Sequence, residues 1–132
     1  MAFEFVDRIV ECVPGERVAA LKALALNEEF FQDHFPGSPV VPGAMILEGL
    51  VQAARHCLAA LPDGHDQWTL DAVENLRFNR FVVPGDTMRL EAERDGGAEG
   101  SAWFAGRARV GEETVCRVRF GLRGRKGPRP AD

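Results

Sequence analysis

The residues able to do chemistry crowd into one stretch, His34-Phe35-Pro36-Gly37-Ser38-Pro39-Val40-Val41-Pro42-Gly43-Ala44-Met45-Ile46-Leu47-Glu48. A histidine opens a loop stiffened by Pro36, Gly37, Pro39, Pro42 and Gly43, and a glutamate follows on the second turn of an apolar helix. Histidine exchanges a proton near neutral pH. Glu48 stands among Met45, Ile46, Leu47, Gly49, Leu50 and Val51, so apolar surroundings are expected for it. Burial without a partner disfavours the charged form of a carboxyl group, which is how a glutamate becomes a proton donor. Pro42-Gly43 adds a helix N-terminus whose free N–H groups can hold a developing negative oxygen. A lone histidine beside a turn, or a lone glutamate on a helix, is ordinarily structural. Base, acid and oxyanion donor in one short stretch instead suit elimination next to a carbonyl.

These groups need a frame. Arg8–Val13 reads as a strand closed by Pro14-Gly15. Arg17–Leu26 is ambiguous: Ala, Leu and Lys favour helix, while alternation at Val18, Ala20, Leu24 and Leu26 suits a hairpin strand. Ala44–Leu61 is a helix apolar around much of its circumference, ended by Pro62-Asp63-Gly64. Thr69–Phe81, Thr87–Arg94, Ser101–Val110 and Thr114–Leu122 read as strands. One wrapped helix and about six strands make an α+β domain with an antiparallel sheet. The expected division is a single domain over residues 1–122 and a basic tail over 123–132.

Charge and cysteines narrow the function. The 132 residues sum to −4, yet residues 117–132 carry six basic side chains against Asp132 alone. A short basic end on an acidic body argues against nucleic-acid binding, which wants a broad basic face. It could receive one small acidic partner, or it could be a solvated tail. Cys12, Cys57 and Cys116 lie far apart and suit reduced, packed thiols rather than disulfides. The adjacent His56 and Cys57 point about 100° apart on a helix and cannot easily share a metal, so no metal site is expected. No apolar run approaches the ~20 residues of a membrane helix, and Met1–Arg8 lacks a basic, then apolar, leader. A cytoplasmic address is expected.

The central stretch resembles the beta-hydroxyacyl-(acyl-carrier-protein) dehydratases, specifically their glutamate-bearing Z type. The family pattern of His-Phe-Pro-Gly, Pro-x-x-Pro-Gly, then Glu with Gln four residues on, is matched by His34–Gly37, Pro39–Gly43, Glu48 and Gln52. Phe5-Val6-Asp7-Arg8, Asn27-Glu28, Phe30-Phe31, Arg77-Phe78, Val82–Asp86 and Gly106-Arg107-Ala108 extend the likeness along most of the chain. The resemblance implies a hot-dog fold, a sheet wrapped around the long helix. It implies a homodimer, in some members a trimer of dimers, with sites shared between chains. His34 would remove the C2 proton of a 3-hydroxyacyl thioester, and Glu48 of the other chain would protonate the leaving hydroxyl. The Gly43 N–H would polarise the thioester carbonyl, Gln52 would orient Glu48, and Phe35 and Val40 would meet the substrate. An acyl carrier protein would deliver the acyl chain on its phosphopantetheine, with no further cofactor.

Some positions depart from the pattern. Asp33 stands where glycine is usual, Phe81 where proline is usual, and the absence of tyrosine rules out a tyrosine gate. Trp68 could stand in for it or belong to the core or rim. The alternatives are a hot-dog acyl thioesterase, the isomerising dehydratase type with Asp in place of Glu48, and a non-catalytic carrier-binding subunit. The His-Phe-Pro-Gly loop, Glu48 itself and the retained His34–Glu48 pair weigh against the three in turn.

Overall fold

A computed structural model describes residues 5–25, 40–62 and 67–125. His34, Phe35 and Asp33 therefore lie outside the described residues, as does the chain beyond Arg125. Among the described residues there are six strands: β1 Arg8–Val13, β2 Arg17–Ala23, β3 Gln67–Phe78, β4 Thr87–Arg94, β5 Ser101–Val110 and β6 Glu113–Arg125. The helix among the described residues, α1 (Gly43–Ala59), lies between β2 and β3 in the chain. The sheet order is β1-β2-β4-β5-β6-β3, and every neighbouring pair is antiparallel. This is the α+β, hot-dog arrangement, with α1 on one face of the sheet.

The helix earns its place by burial. Ile46, Gly49, Leu50, Val51, Ala53, Ala54, Cys57 and Leu58 are buried and meet the inward side chains of the strands, among them Leu90, Phe104, Val118 and Phe120. Phe104 and Phe120 stack with centroids 5.8 Å apart, which adds to their burial. Gly49 allows a close approach, because a Cβ there would stand 2.7 Å from the Phe5 ring and 2.9 Å from Leu90.

The ambiguous second segment is a strand. Val18, Ala20 and Lys22 point inward, and β2 pairs on both sides, with β1 and β4; two ladders outweigh helix propensity. Lys22 is accommodated by an ion pair to Asp7 at 3.3 Å and by the Phe5 ring, 5.1 Å from its ammonium. The helix starts one residue earlier than expected and stops at Ala59, after which the Leu61 N–H turns back to the Leu58 carbonyl. β3 stops at Phe78, short of Phe81, because Asn79 directs its N–H to Val115 and its side-chain amide to Thr114, while Arg80 pairs with Asp86 across the following loop. At the other end, β6 runs three residues past the expected boundary of 122. Arg123, Gly124 and Arg125 pair with Thr69, Trp68 and Gln67, so they belong to the sheet and not to the tail. Among the described residues, no helix is long and apolar enough to cross a membrane.

Candidate active site

Gly43 opens α1 after Pro42, with the approach pinned by a hydrogen bond from the Val41 N–H to the Val82 carbonyl, 2.8 Å. As the first helical residue, its N–H has no acceptor within the helix. A Cβ on Gly43 would stand 2.7 and 2.9 Å from two Phe78 ring atoms, so glycine lets β3 close against the helix start. Val40 is half-buried on the same approach.

Glu48, Gln52 and Arg55 recur at four and three residues, along one flank of α1. The Gln52 side chain donates from Nε2 to Glu48 Oε1, 3.3 Å. Its own Oε1 accepts the Phe5 and Val6 N–H groups, at 2.8 and 3.4 Å. The Arg55 guanidinium lies 3.6 Å from Glu48 Oε1 through Nη1 and donates from Nε to the Trp68 carbonyl, 2.8 Å. The side chain of Glu48 is 41% exposed in the single chain, which corrects the expectation of apolar burial. The flank holding Glu48 turns away from the stripe that packs on the sheet, and its immediate companions are polar.

Of the sequence-predicted residues, the structure joins Glu48 with Gln52 and sets Gly43 at the head of their helix. Residues the sequence reading missed are Arg55, the Phe5 and Val6 amides, and Phe78. Arg55 carried one signal, its place seven residues after Glu48 and so on the same helical flank. Trp68 packs half-buried against the core at the start of β3.

The opposite face of the sheet is charged. There a groove of about 530 Å³ is lined by Arg17, Arg89, Glu91, Glu93, Arg107 and Arg117, among others. Glu91 takes Arg89, Arg107 and Arg109 at 2.8, 2.6 and 3.0 Å. Burial alone would raise its pKa, but the hydrogen bonds from Arg89 and Arg107 and the nearby arginine charges outweigh that and hold it low. This cluster is structural and stands across the sheet from Glu48. The Cys57 thiol is pushed up to about 11 by burial and by neighbouring Cys12, and Cys116 to about 11 by burial.

Residues 1–119 match the family model of the FabA-like domain, and with the hot-dog sheet this defines the class. The chain is 42% identical over 118 residues to the 3-hydroxyacyl-[acyl-carrier-protein] dehydratase FabZ of Variovorax paradoxus (strain S110), covering 86% of this chain and 79% of that one. It is 38% identical over 132 residues to the protein of the same name from Symbiobacterium thermophilum, covering 98% and 93%. The chain belongs to the FabZ family of 3-hydroxyacyl-[acyl-carrier-protein] dehydratases. Among solved structures, the dehydratase heterocomplex ApeI:P from Xenorhabdus doucetiae aligns with a TM-score of 0.74 at 13% identity, over 92% of this chain and 83% of that one. An uncharacterized protein from Pyrococcus horikoshii aligns at 0.75 with 14% identity, over 94% and 86%. These two share the fold.

Proposed function

We propose that this chain dehydrates 3-hydroxyacyl-[acyl-carrier-protein] to the trans-2-enoyl form, in the synthesis of fatty acids or related lipids and polyenes. The observation that carries the reading is the Glu48–Gln52 contact on a helix opened by Pro42-Gly43, in a chain whose relatives bear that dehydratase name. His34 takes the C2 proton, and the electron pair released forms the C2=C3 bond. Glu48 gives its proton to the C3 hydroxyl, which leaves as water. The Gly43 N–H stabilises the charge that gathers on the thioester oxygen. Val40 and Phe35 meet the acyl chain. Protons and water balance, so the reaction calls for no cofactor beyond the carrier's phosphopantetheine.

The proposed unit is a homodimer working in the cytoplasm, open to assembly as a trimer of dimers. β3 supports it, standing at the end of the sheet order, where among the described residues its ladder runs to β6. Val73, Leu76 and Phe78 on that strand are 40, 40 and 44% exposed. An apolar edge of this length is a template for pairing with another strand, and a second copy supplies one. Each site then takes His34 from one protomer and Glu48 from the other.

The test is complementation. His34→Ala and Glu48→Gln each abolish dehydration of a 3-hydroxyacyl thioester. Co-refolded in equal amounts, about half the dimers are mixed and each holds one intact site, so activity returns to roughly a quarter of wild type. A mixture that stays inactive despite verified mixed dimers rejects the shared site, and an active Glu48→Gln chain rejects the reaction as assigned.

A further inference from the structure

We infer that Arg55 is a positioning residue for Glu48: with Gln52 it clamps one carboxyl oxygen, so that the proton to be given up sits on the other. The inference rests on the dehydratase reading above and deepens it.

Among the described residues, the two polar groups that meet the carboxyl converge on Oε1, Gln52 Nε2 at 3.3 Å and Arg55 Nη1 at 3.6 Å. Neither can be turned into an acceptor. A guanidinium only donates. The Gln52 amide is fixed because its oxygen already accepts the Phe5 and Val6 N–H groups, which leaves its NH₂ to face Glu48. The hydrogen bond from Gln52 and the guanidinium charge 3.6 Å away both favour the oxygen that bears no proton, since a carboxyl proton on Oε1 would face an N–H donor and a cation. The doubly approached oxygen is thus the carbonyl one, and the proton belongs on Oε2.

Arg55 can hold this post because it is itself tethered. Its Nε donates to the Trp68 carbonyl at 2.8 Å, so the guanidinium bridges α1 and the second residue of β3. A carboxyl held from one side only, by Gln52, is free to rotate and present either oxygen to the reactant. The second clamp removes the unproductive half of those orientations and steadies the aim of the rest. The motif shared with the dehydratase family ends at Gln52, so Arg55 adds a hold which that motif does not contain.

The experiment uses the full chain and a 3-hydroxyacyl thioester of a small thiol, so that carrier docking plays no part. Arg55→Met lowers kcat by about tenfold, a fraction of what a general acid supplies. KM, the affinity for the saturated acyl thioester and the melting temperature stay near their parent values. Arg55→Lys recovers part of the loss, since its single ammonium can reach Glu48 or the Trp68 carbonyl but not bridge them. An Arg55→Met chain with parent kcat overturns the inference. So does a chain whose kcat, ligand affinity and melting temperature all fall together without rescue by lysine, which would make Arg55 a structural strut. Glu48→Gln is measured alongside: if that chain dehydrates normally, the dehydratase assignment has failed, and not the clamp alone.

Discussion

Replacing Glu91 should cost this domain more than any exposed carboxylate would. Its Oε1 receives Arg107 through Nε at 2.9 Å and Nη2 at 2.6 Å, and its Oε2 receives Arg89 at 2.8 Å and Arg109 at 3.0 Å. The side chain is 23% exposed, so solvent screens these contacts only partly. Taking about 1 kcal/mol for each of the three arginine partners, Glu91→Ala loses about 3 kcal/mol and Glu91→Gln about 2 kcal/mol. The register aggravates the loss. Arg89 stands opposite Arg109, and Arg107 opposite Arg117, so without the carboxylate like charges face one another unrelieved. For a domain of this size the melting temperature falls by roughly 10 °C in the alanine variant. Acid should mimic the substitution. Glu91 has a folded pKa below its ordinary value, so its stabilising contribution is complete above the ordinary carboxylate range and is lost as pH falls through the lowered value. Urea unfolding at pH 7 and at steps down to pH 3 measures both effects. A Glu91→Gln domain within about 0.5 kcal/mol of its parent at pH 7, or one with the parent's full acid sensitivity, refutes the account.

Two further outcomes follow from backbone and burial. Gly97 has φ +113° and a Cβ there would meet the Ser101 carbonyl oxygen at 2.5 Å and Ala102 Cα at 2.9 Å; Gly97→Ala should destabilise by roughly 2–4 kcal/mol. Gly85→Ala, at φ +98° but in open space, should lose about 1 kcal/mol, and equal melting temperatures for the two would refute the steric part. A thiol reagent at pH 8 should label Cys12 in the folded chain and reach Cys57 and Cys116 only in denaturant, since thiols at about 11 are scarcely ionised there; rapid reaction of all three refutes it.

Where the chain is punctuated, its elements could be read from sequence to the residue. β1, β4 and β5 begin and end as expected because Pro14-Gly15, Asp95-Gly96-Gly97 and the Gly111 turn bound them. Arg17–Leu26 stayed open because alanine, leucine and lysine carry helix propensity, and it takes ladders on both sides, to adjacent β1 and to distant β4, to decide against it. The overrun of β6 had the same origin: Arg123–Arg125 look like tail until β3 is laid beside them. Within the site, Glu48 and Gln52 were legible because four residues on a helix is a contact. Arg55 was not, because its second anchor is a main-chain carbonyl on another element. The exposure of Glu48 was hidden for a related reason, since apolar neighbours in sequence occupy other faces of the helix.

The place of Trp68 ties the clamp on Glu48 to the order in which the chain folds. Trp68 pairs with Gly124, at the far end of β6, although 56 positions of sequence separate them. The β4-β5-β6 meander closes through short turns, whereas β3 must wait for β6 to be laid down before it has any ladder at all. During synthesis the helix, Gln52 and Arg55 all emerge well before that ladder can form. The carbonyl that steadies Arg55 is thus secured by some of the latest-made residues of the sheet, and the proposed acid acquires its final alignment only when the domain is otherwise complete.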